Sequence, residues 1–325
     1  MHSFRRKALA TVGLTAAAVA ATSVIASPAQ AYTSGLAKVV GSSTVQFNAL
    51  MGKSNNLVIT ISGRTVTLND TVALTAGKGC KAVKGDKTKV KCTTKKKTTK
   101  ITAALGDKND KITNKTGVYL FADGGSGNDV LIGGSAGEQL QGGTGNDKIW
   151  GNGGNDTLFG GSGNDLIKGG AGDDKIDAGA GTDTVYGEAG KDEVHAGAGN
   201  DVVYGGAGND FLLGEAGNDN LKGEAGDDEL QGGAGNDKLY AGAGADWAIG
   251  QAGDDLIYGD AGEDVLIGGD LDSSGNHTGS TTARDRLDGG SQADVCLVRA
   301  AGTAVNCEDL RKNAVDAADL ATLRG

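Results

Sequence analysis

The chain has 325 residues, of which 58 are glycine and 1 is proline, and aromatic residues make up 4 %. Glycine stands well above the roughly 7 % of average usage, but it does not recur at every third residue, which excludes collagen; so few aromatics argue against a large conventional core, and the regular spacing of aliphatic residues argues against simple disorder. The formal net charge of −10 conceals three zones: residues 32–123 carry 16 Lys/Arg against 5 Asp/Glu, residues 124–267 carry 6 against 27, and residues 268–325 carry 6 against 9.

In chain order, Arg5, Arg6 and Lys7 precede an apolar run from Ala8 to about Ala26, and Ala29-Gln30-Ala31 is a small-residue cleavage site. Residues 1–31 therefore read as a secretory signal peptide, with Arg5-Arg6 leaving the twin-arginine route open beside the general one. No later stretch is long and apolar enough to span a bilayer. The expectation is a secreted, extracellular protein, with association to the cell surface left open.

Residues 32–104 read as β-rich. Leu57–Ile61 and Thr65–Leu68 flank Ser62-Gly63-Arg64, a hairpin signal, and Val72–Thr75 follows as a further strand. Ten lysines lie between Lys78 and Lys100, including Lys95-Lys96-Lys97. They leave two readings: docking to an anionic cell-wall polymer, polysaccharide or matrix, or a solvated hairpin answering the acidic body of a neighbouring molecule. No aromatic residues are interleaved, so nucleic acid is not an expected partner. Cys80/Cys92 and Cys296/Cys307 form two close pairs without CxxC spacing, and outside the cell they read as two disulfides, one near each end.

From Gly124 to Ile267 the chain divides into sixteen consecutive nonapeptides. Glycines at positions 1, 2 and 4 permit a tight turn, and position 6 is a carboxylate. Positions 7–9 form a short strand whose middle side chain, almost always Leu, Ile or Val, points inward. Position 6 is Asp129, Asp147, Asp156, Asp165, Asp174, Asp183, Asp192, Asp201, Asp210, Asp219, Asp228, Asp237, Asp246, Asp255 and Asp264, with Glu138 in the second unit. These carboxylates either cap turns or hold cations. An uncompensated row at strand spacing would repel along its length, and all-oxygen donors suit Ca²⁺ better than Zn²⁺ or Mg²⁺.

Sixteen such units in phase resemble the hemolysin-type (RTX) calcium-binding repeat, G-G-x-G-x-D-x-U-x. The resemblance implies an all-β, right-handed parallel β-roll with two nonapeptides per coil and a small β-rich N-terminal cap. It implies Ca²⁺ between neighbouring coils on each edge, held by backbone carbonyls and by the fifteen Asp residues named above, with Glu138 less certain as a ligand. Seven gaps on each edge allow at most about 14 ions. Many members of the family leave the cell through a dedicated exporter that reads a C-terminal signal; the N-terminal signal here departs from that pattern. Leu105–Thr113 reads as a worn repeat out of phase with the array.

After Ile267 the period breaks with a 12-residue insertion and resumes at Gly289-Gly290. Asp270 and Asp272 resemble the first half of an EF-hand loop but lack its closing Glu, so a plain polar excursion is the favoured reading. A short helix is expected from about Asp309 to Leu323. The organisation expected is thus signal peptide 1–31, basic region 32–104, lead-in repeat 105–123, array 124–267, insertion with a last partial repeat 268–297, and clipped cap 298–325.

No catalytic constellation emerges. The histidines are His2, His195 and His277, with no H-E-x-x-H, and His195 is expected to be solvated. Gly133–Gly137 matches G-x-S-x-G without a strand–elbow–helix context. A non-enzymatic calcium-binding protein that folds on binding Ca²⁺, with an adhesion, matrix or surface role, is the first expectation. An exported hydrolase or effector with an unrecognised site in the N-terminal region, and a polyanion binder acting through the lysines, are the alternatives. Position 9 of alternate repeats aligns Trp150, Lys168, Tyr186, Tyr204, Lys222, Tyr240 and Tyr258, as either a binding platform or a stiffening ladder.

Overall fold

The computed structural model describes residues 34–269, 285–291, 294–297, 303–305 and 307. The segment 1–31 read as a signal peptide, Asp270 and Asp272, His277 and the helix expected from Asp309 lie outside the described residues.

Each nonapeptide supplies one strand and one turn. The strand is longer than the three residues expected at positions 7–9: Lys148–Gly153, Thr157–Ser162 and Leu166–Ala171 each run on through positions 1–3 of the next repeat. The reason lies in the backbone pairing, because Asn152 and Gly153 pair with Gly170 and Ala171 as fully as Lys148 and Ile149 pair with Leu166 and Ile167. The turn is confined to positions 4–6.

Successive strands alternate between two sheets of 14 and 15 strands. Within the array every strand is parallel to the strand 18 residues on and in register with it, as in Leu140↔Leu158 and Ile149↔Ile167. Two nonapeptides therefore close one coil, and the fold is an all-β parallel solenoid with no helix among the described residues. Where position 2 is glycine the coils stack closely, whereas Asn152, Glu188, Glu215, Glu224, Gln251 and Asp260 carry side chains there with φ between 65° and 77°. Gly143 has φ +113°, and a Cβ there would lie 2.1 Å from the carbonyl oxygen of Gly125 in the preceding coil.

Position 8 builds the core. Leu131, Ile149, Ile167, Val185, Val203, Leu221, Leu239 and Ile257 line one wall with no solvent exposure. Leu140, Leu158, Ile176, Val194, Leu212, Leu230 and Leu266 line the other, thinned at Ala248.

Both sheets continue without a break into the basic region. Thr44–Asn48 pairs parallel with Lys100–Asp107, and Asn56–Ser62 pairs parallel with Lys111–Asn114. Asn56–Ser62 then turns at Gly63 into the antiparallel strand Thr65–Asn69, the hairpin read from the sequence. Asp86–Thr93 and Cys80–Val83 complete that sheet, while Gly35–Val40 and Leu74–Ala76 complete the other. The short final strands, one of them carrying Lys81, blunt edges that would otherwise template pairing with another chain. Cys80 and Cys92 are cross-strand partners and form a disulfide; Cys296 and Cys307 form the second.

Beyond the insertion the stacking resumes in register. Arg286–Asp288 pairs with Leu256–Ala261, and Val295–Leu297 pairs with Val265–Ile267.

Candidate metal centres

Position 6 ends each turn with its side chain folded in beneath the coil. The fifteen Asp residues are at most 3 % exposed. Their arrangement is one hydrogen bond repeated: from Asp129 to Asp246, the backbone N–H of each position-6 residue donates to Oδ1 of the position-6 Asp 18 residues later. Asp129 donates to Asp147, Asp147 to Asp165 and Asp165 to Asp183, each at 2.7 Å. On the opposite edge Asp156 donates to Asp174 at 2.7 Å and Asp174 to Asp192 at 2.9 Å.

Oδ1 is thus engaged, and Oδ2 is not. In all fifteen residues Oδ2 is buried without a hydrogen-bond partner. A buried anionic oxygen left unpaired is costly, and a native fold that repeats it fifteen times calls for a counter-charge. A second hard oxygen stands beside it. A Cβ added at Gly142 would lie 2.3 Å from Asp147 Oδ2 and 2.6 Å from the carbonyl oxygen of Gly160; at Gly151 the corresponding values are 2.1 Å to Asp156 Oδ2 and 2.5 Å to the Gly169 carbonyl. Glycine at position 1 therefore keeps a cradle open where a carboxylate and a carbonyl of the next coil converge. Such a donor set fits Ca²⁺, which takes carboxylate and carbonyl oxygens in flexible geometry. No three His, Cys, Asp or Glu side chains gather round a single point among the described residues, so any cation site depends on these main-chain oxygens.

The titration behaviour agrees. Burial, opposed in part by the N–H donor and reinforced by neighbouring carboxylates, raises Asp147 and Asp183 to about 6 and Asp165, Asp219 and Asp255 to about 7. Asp174, Asp192, Asp228 and Asp264 are likewise pushed up to about 7. Glu138 goes furthest, to about 8, again chiefly through burial. It occupies the Asp slot, donating its N–H to Asp156 Oδ1 at 2.6 Å, and its own carboxylate is met by Asn114 Nδ2 and by the N–H of Gly134.

The ladders extend beyond the fifteen Asp residues of the array. Asp110, in the worn repeat read from the sequence with its ion-binding role left open, donates to Asp129 Oδ1 at 2.7 Å and joins the first edge. Asp255 donates to Asp285 Oδ1 at 3.2 Å and Asp264 to Asp294 Oδ1 at 3.0 Å, both across 30 residues. The signal that could have found Asp285 is the D-x-L-D run at Asp285–Asp288, ahead of the returning Gly-Gly; Asp294 is position 6 of the repeat that resumes at Gly289. A second ladder also went unread. Asn128 Oδ1 accepts from the N–H of Asn146, and Asn146 Oδ1 from that of Asn164, both at 2.9 Å. Position 5 thus reaches forward along the axis while position 6 reaches back.

Elsewhere, His195 is not bathed in solvent as expected. Its Nδ1 lies 3.3 Å from Glu215 and its Nε2 lies 3.7 Å from Glu193. Ser135 is exposed on a bend with no helix after it. The position-9 row is a ladder of mutually covered rings: Tyr186 and Tyr204 stack at 4.8 Å, Tyr240 and Tyr258 at 5.0 Å, and the ammonium groups of Lys168 and Lys222 cap the first pair.

A search of curated proteins finds no match. Among solved structures, the chain is similar to a hyperactive, Ca²⁺-dependent, β-helical antifreeze protein from an Antarctic bacterium, at 25 % identity and a TM-score of 0.37. That match covers 63 % of this chain and spans 63 % of the other's length. The family model of the RTX calcium-binding nonapeptide repeat matches six overlapping segments, 121–136, 132–167, 159–194, 186–221, 213–248 and 240–272. Residues 121–272, a little under half of the chain, thus match the model of the RTX calcium-binding nonapeptide repeat.

Proposed function

We propose that this is an exported calcium-binding protein whose solenoid folds on taking up extracellular Ca²⁺, and that it serves adhesion, matrix or surface assembly without catalysing a reaction. The observation that carries the reading is the unbroken series of buried, partnerless Oδ2 atoms, from Asp129 through Asp264, on both edges. Fifteen carboxylates held apart from water and stacked at about 4.8 Å destabilise the ion-free coil at neutral pH. A bound divalent cation would neutralise them and tie each coil to the next.

The fifteen Asp residues of the array are the proposed ligands, joined by Asp110, Asp285 and Asp294 on ladder geometry and by carbonyls of position 1 in the following coil. Because ions taken up only by the folded chain stabilise it by mass action, Ca²⁺ in the 10⁻⁴–10⁻³ M range typical of extracellular modules can act as the folding signal. The core of a single aliphatic side chain per wall and strand supports this dependence. The lack of a helix behind Ser135 and the carboxylate-flanked setting of His195 support a non-enzymatic role.

Far-UV circular dichroism of residues 32–325 during calcium and magnesium titrations tests the proposal. A cooperative gain of β signal near millimolar Ca²⁺, with Mg²⁺ ineffective, is expected. A β spectrum indifferent to calcium, together with no direct binding, overturns it.

A further inference from the structure

The outer face of the 15-stranded sheet carries two uncompensated charge arrangements at opposite ends. At the N-terminal end Lys81 and Lys91 are direct cross-strand partners, an arrangement that destabilises an antiparallel pair. Lys81, Lys87 and Lys91 are exposed and, unlike Lys89, which pairs with Asp86 at 3.1 Å, have no carboxylate partner among the described residues. Protection of a sheet edge accounts for a lysine on the terminal strand Cys80–Val83. It does not account for Lys91, which is paired on both sides, with Thr67 and with Lys81.

Toward the other end, Glu224 and Asp260 occupy position 2, where neighbouring coils have Gly206 and Gly242. Their φ values of +74° and +65° lie in the left-handed region that side-chain-bearing residues avoid. Both carboxylates are exposed and lack an ion-pair or hydrogen-bond partner among the described residues. Two local costs, a like-charge pair and left-handed acids, thus go unrepaid within the chain. They cannot offset each other internally. Eleven strand steps separate Asp86–Thr93 from Leu256–Ala261, about 50 Å along a stiff sheet.

We infer that this face joins two copies of the chain in an antiparallel, face-to-face dimer, with the lysines of each copy on Glu224 and Asp260 of the other. The charges lie nearly symmetrically about the strand Lys148–Gly153, so a two-fold axis through the neighbourhood of Trp150 satisfies both contacts at once and closes the pair. Trp150, Tyr186 and Tyr204 then fall in the central stretch beside Lys148 and the Lys168–Glu188 ion pair, with Lys81, Lys87, Lys91, Glu224 and Asp260 toward the ends. Strands six residues long make the face roughly 20 Å wide. Over about 50 Å, that is on the order of 1,000 Å² per copy, more than the ~800 Å² a stable pair typically needs. The second copy is favoured over a polyanion because the complementary charge lies on the same sheet lattice of the same chain.

The test is sedimentation velocity of the full chain in calcium, with circular dichroism to verify the fold of each variant. The wild type is expected to sediment at twice the monomer mass in low salt and at the monomer mass in molar salt, where the Debye length falls to about 3 Å. Lys81→Glu/Lys87→Glu/Lys91→Glu and Glu224→Lys/Asp260→Lys should each be monomeric, and their equimolar mixture should recover the doubled mass. If a reversal variant does not fold, Lys87→Gln/Lys91→Gln and Glu224→Gln/Asp260→Asn should each weaken association at least tenfold. A monomeric wild type, indifference to both substitutions, or a mixture that stays monomeric overturns the inference. Mass that grows without limit with concentration overturns the closed pair, and a monomer retained on heparin overturns the second copy as occupant.

Discussion

The N–H of Asp147 donates to Oδ1 of Asp165 at 2.7 Å, while Oδ2 of Asp165 is buried with nothing to accept from. One carboxylate thus does two jobs that different substitutions separate. Asp165→Asn keeps an oxygen for the Asp147 N–H but puts an amide nitrogen where Oδ2 stood. It should shift the calcium midpoint of folding upward and leave the acid-stabilised, calcium-free state nearly unchanged. Asp165→Ala also strands the buried N–H, at a further cost of about 1–3 kcal/mol. Calcium and urea titrations of the two variants check this.

Stability in the absence of metal should fall as pH rises. Asp165 and Asp219 have folded-state values near 7 against an ordinary 3.8, so the folded chain binds more protons than the unfolded one between about pH 4 and 7. Their contribution is fully present below about pH 4 and is lost as pH climbs through 7. In chelator, β signal should therefore grow on acidification from pH 7.5 to 5. Because Ca²⁺ needs the same carboxylates deprotonated, its affinity should weaken over that interval. A flat β signal in chelator across the range would count against burial of these groups.

Ala178, Ala196 and Ala241 stand at position 1, where other repeats have glycine. At Gly142, Gly160 and Gly205 a Cβ would sit within 2.6 Å of the Asp Oδ2 five residues on. Sites served by Asp183, Asp201 and Asp246 should accordingly bind more weakly than the rest, and the ion count should fall short of 14. Isothermal titration of Ala178→Gly should show one site tightened. No change in either count or affinity would show that the methyl is accommodated.

The core predicts large effects from small deletions. Leu221 is fully buried between Val203 and Leu239 in its wall. Leu221→Ala should cost about 2–5 kcal/mol, read by denaturation in saturating calcium. Gly143→Ala should also destabilise strongly, because its Cβ would press on the Gly125 carbonyl across the coil boundary.

The period of nine carried most of this architecture in plain view. Sixteen position-6 carboxylates and sixteen position-8 residues assign the two edges and both core walls, and the register Ile149↔Ile167 follows from two repeats per coil. What escaped did so for physical reasons. Asp285 sits 30 residues from Asp255, so a search at fixed period passes over it, and Asp110, 19 residues from Asp129, was visible only as part of a worn repeat out of phase. The Asn128–Asn146 ladder joins a side chain to the backbone of another coil, a contact that residue type alone does not reveal. Strand length was underestimated because glycines at positions 1 and 2 look like loop residues, yet main-chain pairing with the adjacent coil holds them extended.

Thirty residues carry the chain from Asp255 to Asp285, and eighteen carry it from Asp237 to Asp255, yet each stretch advances the stack by one coil. The length of the rod is therefore a count of coils and not of residues. Extra sequence introduced at a turn leaves the axial spacing of the carboxylate rows unchanged. A solenoid built this way can acquire or exchange added sequence without altering the spacing of its carboxylate rows.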